Sequence, residues 1–214
     1  MNGYYPVVLQ LRGKRCVIVG GGAVAQRKLL GLLEAGADQV IVISPAVTPR
    51  IAEIAKEGSI RVELREYTEK DAREAWLLFA ATNDGQVNEA AAADCMRYGV
   101  LFNAADEFSR SSFISPSVVR RGDLLLAVTA SGASPALSQR IKTELAERYG
   151  PQYEEITSRL RDLRERAQQM LLDEQDRQKV LKLAAEEAPE LNRKHFDIDE
   201  WLQSLHHRID RGQL

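Results

Sequence analysis

Gly20-Gly21-Gly22-Ala23-Val24-Ala25 follows the β-branched run Arg15 to Val19 and precedes a stretch with apolar residues at helical spacing. Glycines at that junction fit G-x-G-x-x-G/A in the setting where the pattern has physical meaning. Gly20 permits a tight turn, Gly22 lets the backbone approach a pyrophosphate with no side chain in the way, and Ala25 allows close helix-sheet packing. The first amides of the helix have no partner within it and are free to bind an anion. The natural ligand of such a turn is a dinucleotide, with Gly20 and Gly22 at its pyrophosphate. An acidic residue usually holds the NAD ribose about 20 residues further on, but this chain has Ser44-Pro45. Ser44 can hydrogen-bond a ribose hydroxyl, and no Arg stands beside it to take a 2′-phosphate, so NAD is favoured over NADP. Thr82-Asn83-Asp84 either lines the reactive end of the cofactor or is only the turn before the next helix.

The second group is Asn103-Ala104-Ala105-Asp106, which runs onto the edge where ligands of open parallel sheets bind. There, modestly desolvated, the Asp106 carboxylate can take a proton as a hydride leaves a substrate. The plainer alternative for Asp106 is a helix cap or a surface turn. His195, His206 and His207 all lie in a charged tail, and adjacent residues on a helix point in different directions, so no metal site is expected. Cys16 in an apolar run and Cys95 in a helical pattern read as buried packing residues.

Positioning these groups requires alternating strands and helices. Strands are predicted at 15–19, 39–43, 60–64, 76–81 and 100–103. Between them stand a helix with Ala25, Leu29, Leu32 and Leu33 that ends near Gly36, one capped by Thr48-Pro49 that stops at Gly58, and one from about 87 to 98. That is an α/β, Rossmann-type parallel sheet. After Asn103 the pattern changes: Phe113 to Arg121 and Asp123 to Thr129 flank Arg121-Gly122-Asp123 as an antiparallel hairpin. Ser134-Pro135 opens a helix that Gly150-Pro151 closes. From Gln152 the chain is charged and helical, with Ile156, Leu160, Leu163, Ala167 and Met170 on one stripe expected to pack on its own chain or on a dimer mate. The expected division is 1–113, 114–150 and 151–214.

Composition narrows the function. The 214 residues are 44% apolar and 28% charged, with 29 Lys plus Arg against 31 Asp plus Glu, a net charge of −2. There is no basic excess to hold a nucleic-acid backbone. Runs such as Trp76 to Ala81 and Leu124 to Val128 are far short of the roughly 20 residues that cross a bilayer. Charges interrupt the first residues where a secretory signal needs an apolar core, so the chain is read as cytoplasmic.

Several separated blocks carry a resemblance: YYPVVLQLRGKRCVIVGGGAVAQRK, then VISP, LLFAATND followed by VN, FNAADEFSRSSFISPSVVRRGDL, and AVTASGASPALSQRI. Over about residues 4–150 the chain resembles the precorrin-2 dehydrogenases and the amino-terminal part of siroheme synthases. The resemblance implies NAD-dependent oxidation of precorrin-2 to sirohydrochlorin, with Asp106 matching the catalytic aspartate and Gly22, Ala23, Val24, Ser44 and Pro45 matching cofactor contacts. Ala25 and Arg27-Lys28 also match. It implies a homodimer, with a dimerisation module at 114–150 and an α-helical domain at 151–214. The substrate is similar to a skeleton bearing eight carboxylates, so cationic groups are expected near the cleft, with Arg110, Arg120, Arg121 and Arg140 as candidates. Asn103, Ser112, Arg121, Ser131 and Ser134 are the expected substrate contacts, although Ser134 is equally explained as an N-cap.

Bifunctional relatives of this kind also insert ferrous iron and carry a regulatory phosphoserine, at which this chain has Ala130. A sequence ending at Leu214 is expected to lack the methyltransferase domain of the large fused enzymes. Two alternatives stay open. One is a bifunctional dehydrogenase that also acts as a chelatase for Fe²⁺ or Co²⁺ with the same carboxylate; the other is a non-enzymatic NAD-sensing module.

Overall fold

The computed structural model describes residues 3–105, 110–190 and 197–211. These form two compact units that meet in sequence at Ser115 and Pro116. In the first unit the order is β1 (Arg15–Val19), α1 (Ala23–Glu34), β2 (Gln39–Ile43), α2 (Pro49–Lys56), β3 (Arg61–Glu63), α3 (Glu69–Arg73), β4 (Leu77–Ala80), α4 (Gly85–Tyr98) and β5 (Leu101–Ala104). The five strands pair in parallel in the order β3-β2-β1-β4-β5. This is the Rossmann-type sheet that the sequence pattern called for.

Strand side chains alternate between two cores. Cys16, Ile18, Val40, Val42, Leu77 and Phe79 meet Ala25 and Leu29 of α1 and Ile51 and Ile54 of α2. Val17, Val19, Ile41, Ile43, Leu78 and Ala80 meet Ala72 of α3 and Ala91 and Cys95 of α4. Helices on both faces explain why the central strands read as continuous apolar runs. Both cysteines are buried as expected, and burial pushes the Cys16 thiol up to about 11 and the Cys95 thiol up to about 12.

The sequence reading has no counterpart to α3. Asp71 holds its start, accepting from the Thr68 amide at 2.9 Å and its hydroxyl at 3.0 Å while pairing with Arg65 at 2.7 Å. Thr68-x-x-Asp71 is a capping-box spacing and was the available signal.

In the second unit β6 (Ser117–Arg121) and β7 (Leu124–Val128) form an antiparallel hairpin around Gly122, whose φ of +54° is a left-handed turn conformation. The first hairpin strand starts at Ser117, not at Phe113. Ser112 and Phe113 are instead bonded to β5, and Pro116 cannot donate to a ladder. Helix α5 (Pro135–Arg148) follows, with the Ser134 hydroxyl accepting from the Leu137 amide at 3.2 Å. The tail forms α6 (Gln152–Met170), α7 (Glu174–Glu187) and α8 (Ile198–Asp210). Leu163 and Ala167 pack with Val180, Leu183, Leu202 and Leu205, so the stripe of α6 is covered by its own chain, although Met170 is left exposed. Among the described residues no helix is long and apolar enough to cross a membrane.

Candidate active site

The strand register brings the loops of the first unit to one edge. Val19 is level with Ile43 and Ala80, and Ala80 with Ala104, so the segments after β1, β2, β4 and β5 leave the sheet side by side. The ladder continues one residue further: Gly20 N donates to Ile43 O at 2.8 Å, Ala81 N to Val19 O at 2.8 Å, and Ala105 N to Ala80 O at 2.9 Å.

The glycine turn matches the expectation at Gly20 and Gly22 and adds Gly21 to it. Gly20 has φ +117°, and a Cβ there would overlap the Ala81 carbonyl. Gly21, which the motif leaves unspecified, is the most confined: a Cβ would overlap Ala46 O and come within 2.9 Å of Ser44 Oγ. Its carbonyl also accepts from Thr48 N at 2.9 Å, tying the glycine turn to the loop that opens α2. Gly22 faces open space, with nothing within 4 Å of a Cβ. It is the N-cap of α1 and provides no side-chain cap, and no acidic residue stands in the first turn. The α1 amides of Ala23 and Val24 therefore present uncompensated positive charge at an exposed surface. Ala25 is fully buried under α1, as expected.

Ser44 and Pro45 leave β2 beside this turn, and the Ser44 hydroxyl donates to Ala46 O at 2.8 Å. Thr82 leaves β4; its hydroxyl lies 2.9 Å from both Asp84 O and Asn88 Oδ1 and accepts from Asp84 N at 3.0 Å. Asp84 then caps α4 through Gln86 N at 2.9 Å. Thr82-Asn83-Asp84 is thus a structured turn, and its last two residues also line a cleft of about 910 Å³ together with Gln86, Asn88, Ala104 and Arg110 among others. Arg110 pairs there with Glu89 at 3.2 Å.

Asn103 is buried, with both ends of its amide engaged. Its Oδ1 accepts from Lys28 Nζ at 3.0 Å and its Nδ2 donates to Phe113 O at 2.9 Å. The Ser112 hydroxyl accepts from Phe102 N at 2.8 Å and donates to Phe102 O at 3.1 Å, so it lies along β5. Asp106 lies outside the described residues; β5 runs toward it, with Ala105 still on the sheet edge. Lys28 carries no signal in the sequence beyond the resemblance, and burial and the neighbouring Arg27 bring its ammonium down to about 8.

The remaining candidates belong to the second unit. The Arg121 guanidinium donates to Tyr149 O at 3.1 Å and Ala146 O at 3.4 Å, at the end of α5. Ser131 has φ +53°, and its amide donates to Thr129 Oγ1 at 3.0 Å. Ser134 is the N-cap of α5, Arg120 is exposed, and Arg140 pairs with Glu144 at 3.0 Å on the surface. Among the described residues no group of three or more His, Cys, Asp or Glu could hold a metal; His206 and His207 lie on α8 and His195 lies outside the described residues.

Residues 7–117 match a protein family described as "Putative NAD(P)-binding". The chain is 38% identical over 168 residues to a siroheme synthase of Methylococcus capsulatus, covering 78% of this chain and 35% of that protein. It is 35% identical over 160 residues to a precorrin-2 dehydrogenase of Priestia megaterium, covering 75% of this chain and 78% of that protein. The chain belongs to the precorrin-2 dehydrogenase family. A solved structure titled SirC, precorrin-2 dehydrogenase, superposes with a TM-score of 0.79 at 30% identity, covering 95% of this chain and 100% of that one. The chain spans about a third of the length of the siroheme synthases it matches.

A precorrin-2 dehydrogenase family member must leave room for a dinucleotide at its glycine turn, and these residues fit one. The open space at Gly22, the uncapped α1 amides and the exposed Pro45 leave an open, partly positive surface at the edge where strands end.

Proposed function

We propose that the chain is an NAD-dependent dehydrogenase that oxidises precorrin-2 to sirohydrochlorin. The observation that carries this reading is the single sheet edge shared by the open N-terminus of α1 and by β5, whose last residue stands two positions before Asp106. Bound NAD supplies the hydride acceptor. The Ala23 and Val24 amides would hold its pyrophosphate, with Gly22 permitting close approach and Gly20 making the turn. Ser44 has one hydroxyl proton, committed to Ala46 O. Its free lone pairs suit the donating 2′-hydroxyl of NAD and repel a 2′-phosphate, which supports NAD over NADP. Pro45 would border the same ribose, and Thr82 would shape the wall beside the reactive end.

At the substrate, Asp106 would accept a proton as hydride departs from the neighbouring carbon, extending conjugation in the macrocycle. Arg110 lines the cleft and would exchange Glu89 for a substrate carboxylate. Ser112 and Asn103 would act on the substrate through the placement of β5. Arg121, Ser131 and Ser134 would contribute from the second unit. There the hairpin β6–β7 and α5 would form the dimerisation module of a cytoplasmic homodimer, with the helices beyond residue 150 as a separate helical domain.

The test is an anaerobic time course with precorrin-2 and NAD that follows NADH and the product spectrum together, run beside Asp106→Asn. The expected result is equal formation of both products by the wild type and a loss of about 10²–10⁴-fold in kcat in the variant. A wild type that forms neither product overturns the reading. Metal insertion without NAD would assign the chelatase activity instead.

A further inference from the structure

Helix α1 turns Ala25, Leu29 and Leu32 to the sheet, all buried. Lys28 sits three residues after Ala25 and therefore on the same side, where an apolar residue would be expected. An ammonium in such a place is costly unless partners replace water. Among the described residues Lys28 has three: Asn103 Oδ1 at 3.0 Å, Ser115 Oγ at 3.0 Å, and the Phe79 ring, whose centroid is 4.7 Å from Nζ.

The consequence falls on β5, the edge strand of the sheet among the described residues. Its outer backbone groups are met by side chains from the segment that returns past it. Ser111 Oγ accepts from Ala104 N at 2.9 Å, Ser112 bonds both backbone groups of Phe102, and Phe113 O accepts from Asn103 Nδ2. A lysine ammonium can only donate, so it draws Oδ1 of Asn103 toward α1 and turns Nδ2 toward the returning segment. At Ser115 it holds the far end of that same segment. Residues 104 and 111 are thus fixed on either side of the connection that contains Asp106.

We propose that Lys28 is a positioning residue that, through Asn103 and Ser115, clamps the Ser111–Ser115 segment onto β5 and so sets the two anchors of the Asp106 connection. The proposal rests on Asp106 being the catalytic base. A leucine at position 28 would fill the helix-sheet interface with less desolvation, which makes sense of the lysine as a residue kept for placement rather than for stability.

The test compares Lys28→Met, Lys28→Arg and Ser115→Ala in the full chain. Backbone amide exchange is measured without cofactor, and kcat and KM are measured with NAD and precorrin-2. Lys28→Met should speed exchange at Phe102, Ala104 and Ser112 by about 10-fold or more while leaving Val17 and Ile41 unchanged. It should lower kcat by about 10–100-fold with the KM for NAD within about two-fold. Lys28→Arg, which keeps the donors, should restore most of both, and Ser115→Ala should give a weaker form of the Lys28→Met pattern. Unchanged exchange at Phe102 and Ala104, exchange rising equally across the sheet, or faster exchange with unaltered kcat would each overturn the clamp. If wild type lacks dehydrogenase activity, the functional reading fails while the exchange data still decide whether Lys28 holds β5.

Discussion

One methyl group added at Gly21 or at Gly22 has opposite consequences. At Gly21 it would collide with the Ala46 carbonyl, a backbone atom that cannot swing away, whereas at Gly22 it enters open space. Gly21→Ala should therefore destabilise the protein by about 2–4 kcal/mol, read as a lowered melting temperature. Gly22→Ala should change stability by no more than about 1 kcal/mol and lose NAD affinity by 10-fold or more, measured by urea denaturation and by titration of the intact protein. Lys28 has a pH signature. Its folded pKa of about 8 lies below the ordinary 10.5, so between these values the unfolded chain binds more protons. The destabilisation from burying the charge is complete below pH 8 and fades as pH rises toward 10.5, so this group makes stability rise with pH across that window. Chemical denaturation of wild type and Lys28→Met at pH 7.5 and pH 9.5 should show that rise in the wild type alone.

At the scale of elements, caps and glycine turns made most of the fold legible. Thr48-Pro49, Ser134-Pro135 and Gly150-Pro151 mark helix ends because a hydroxyl or a missing N–H satisfies backbone that the helix cannot. The short α3 escaped because five residues show too little periodicity, and its cap uses Asp rather than Glu at the third position. The glycine turn was readable as a turn because its residue types are dictated by backbone geometry. What was not readable is the partner of each polar side chain. Arg121 and Ser112 are equally plausible as ligand contacts in sequence, and only the folded chain brings the α5 carbonyls and the Phe102 backbone to them. Ser134→Ala should cost about 1 kcal/mol through the lost bond to Leu137 N, checked by urea denaturation.

The whole molecule has separate cores for its two units, and its two tryptophans are divided between them. Trp76 packs against the core of α1 and α2, and Trp201 is buried among the tail helices. Trp76→Phe and Trp201→Phe variants should report the two units one at a time. At 100 times its Kd, NAD should stabilise the transition seen by Trp76 by about 2.7 kcal/mol and leave that seen by Trp201 in place. The serine-lined flank of β5 has a different consequence at this scale. An open parallel sheet has two outer rims, and an uncovered rim is a template on which another chain can grow as amyloid-like cross-strand stacking. On one rim β3 is only three residues long and carries Arg61 and Glu63. On the other, hydroxyls and an amide already occupy the backbone groups that a foreign strand would need. Colloidal solubility and the geometry of the site thus depend on the same few atoms.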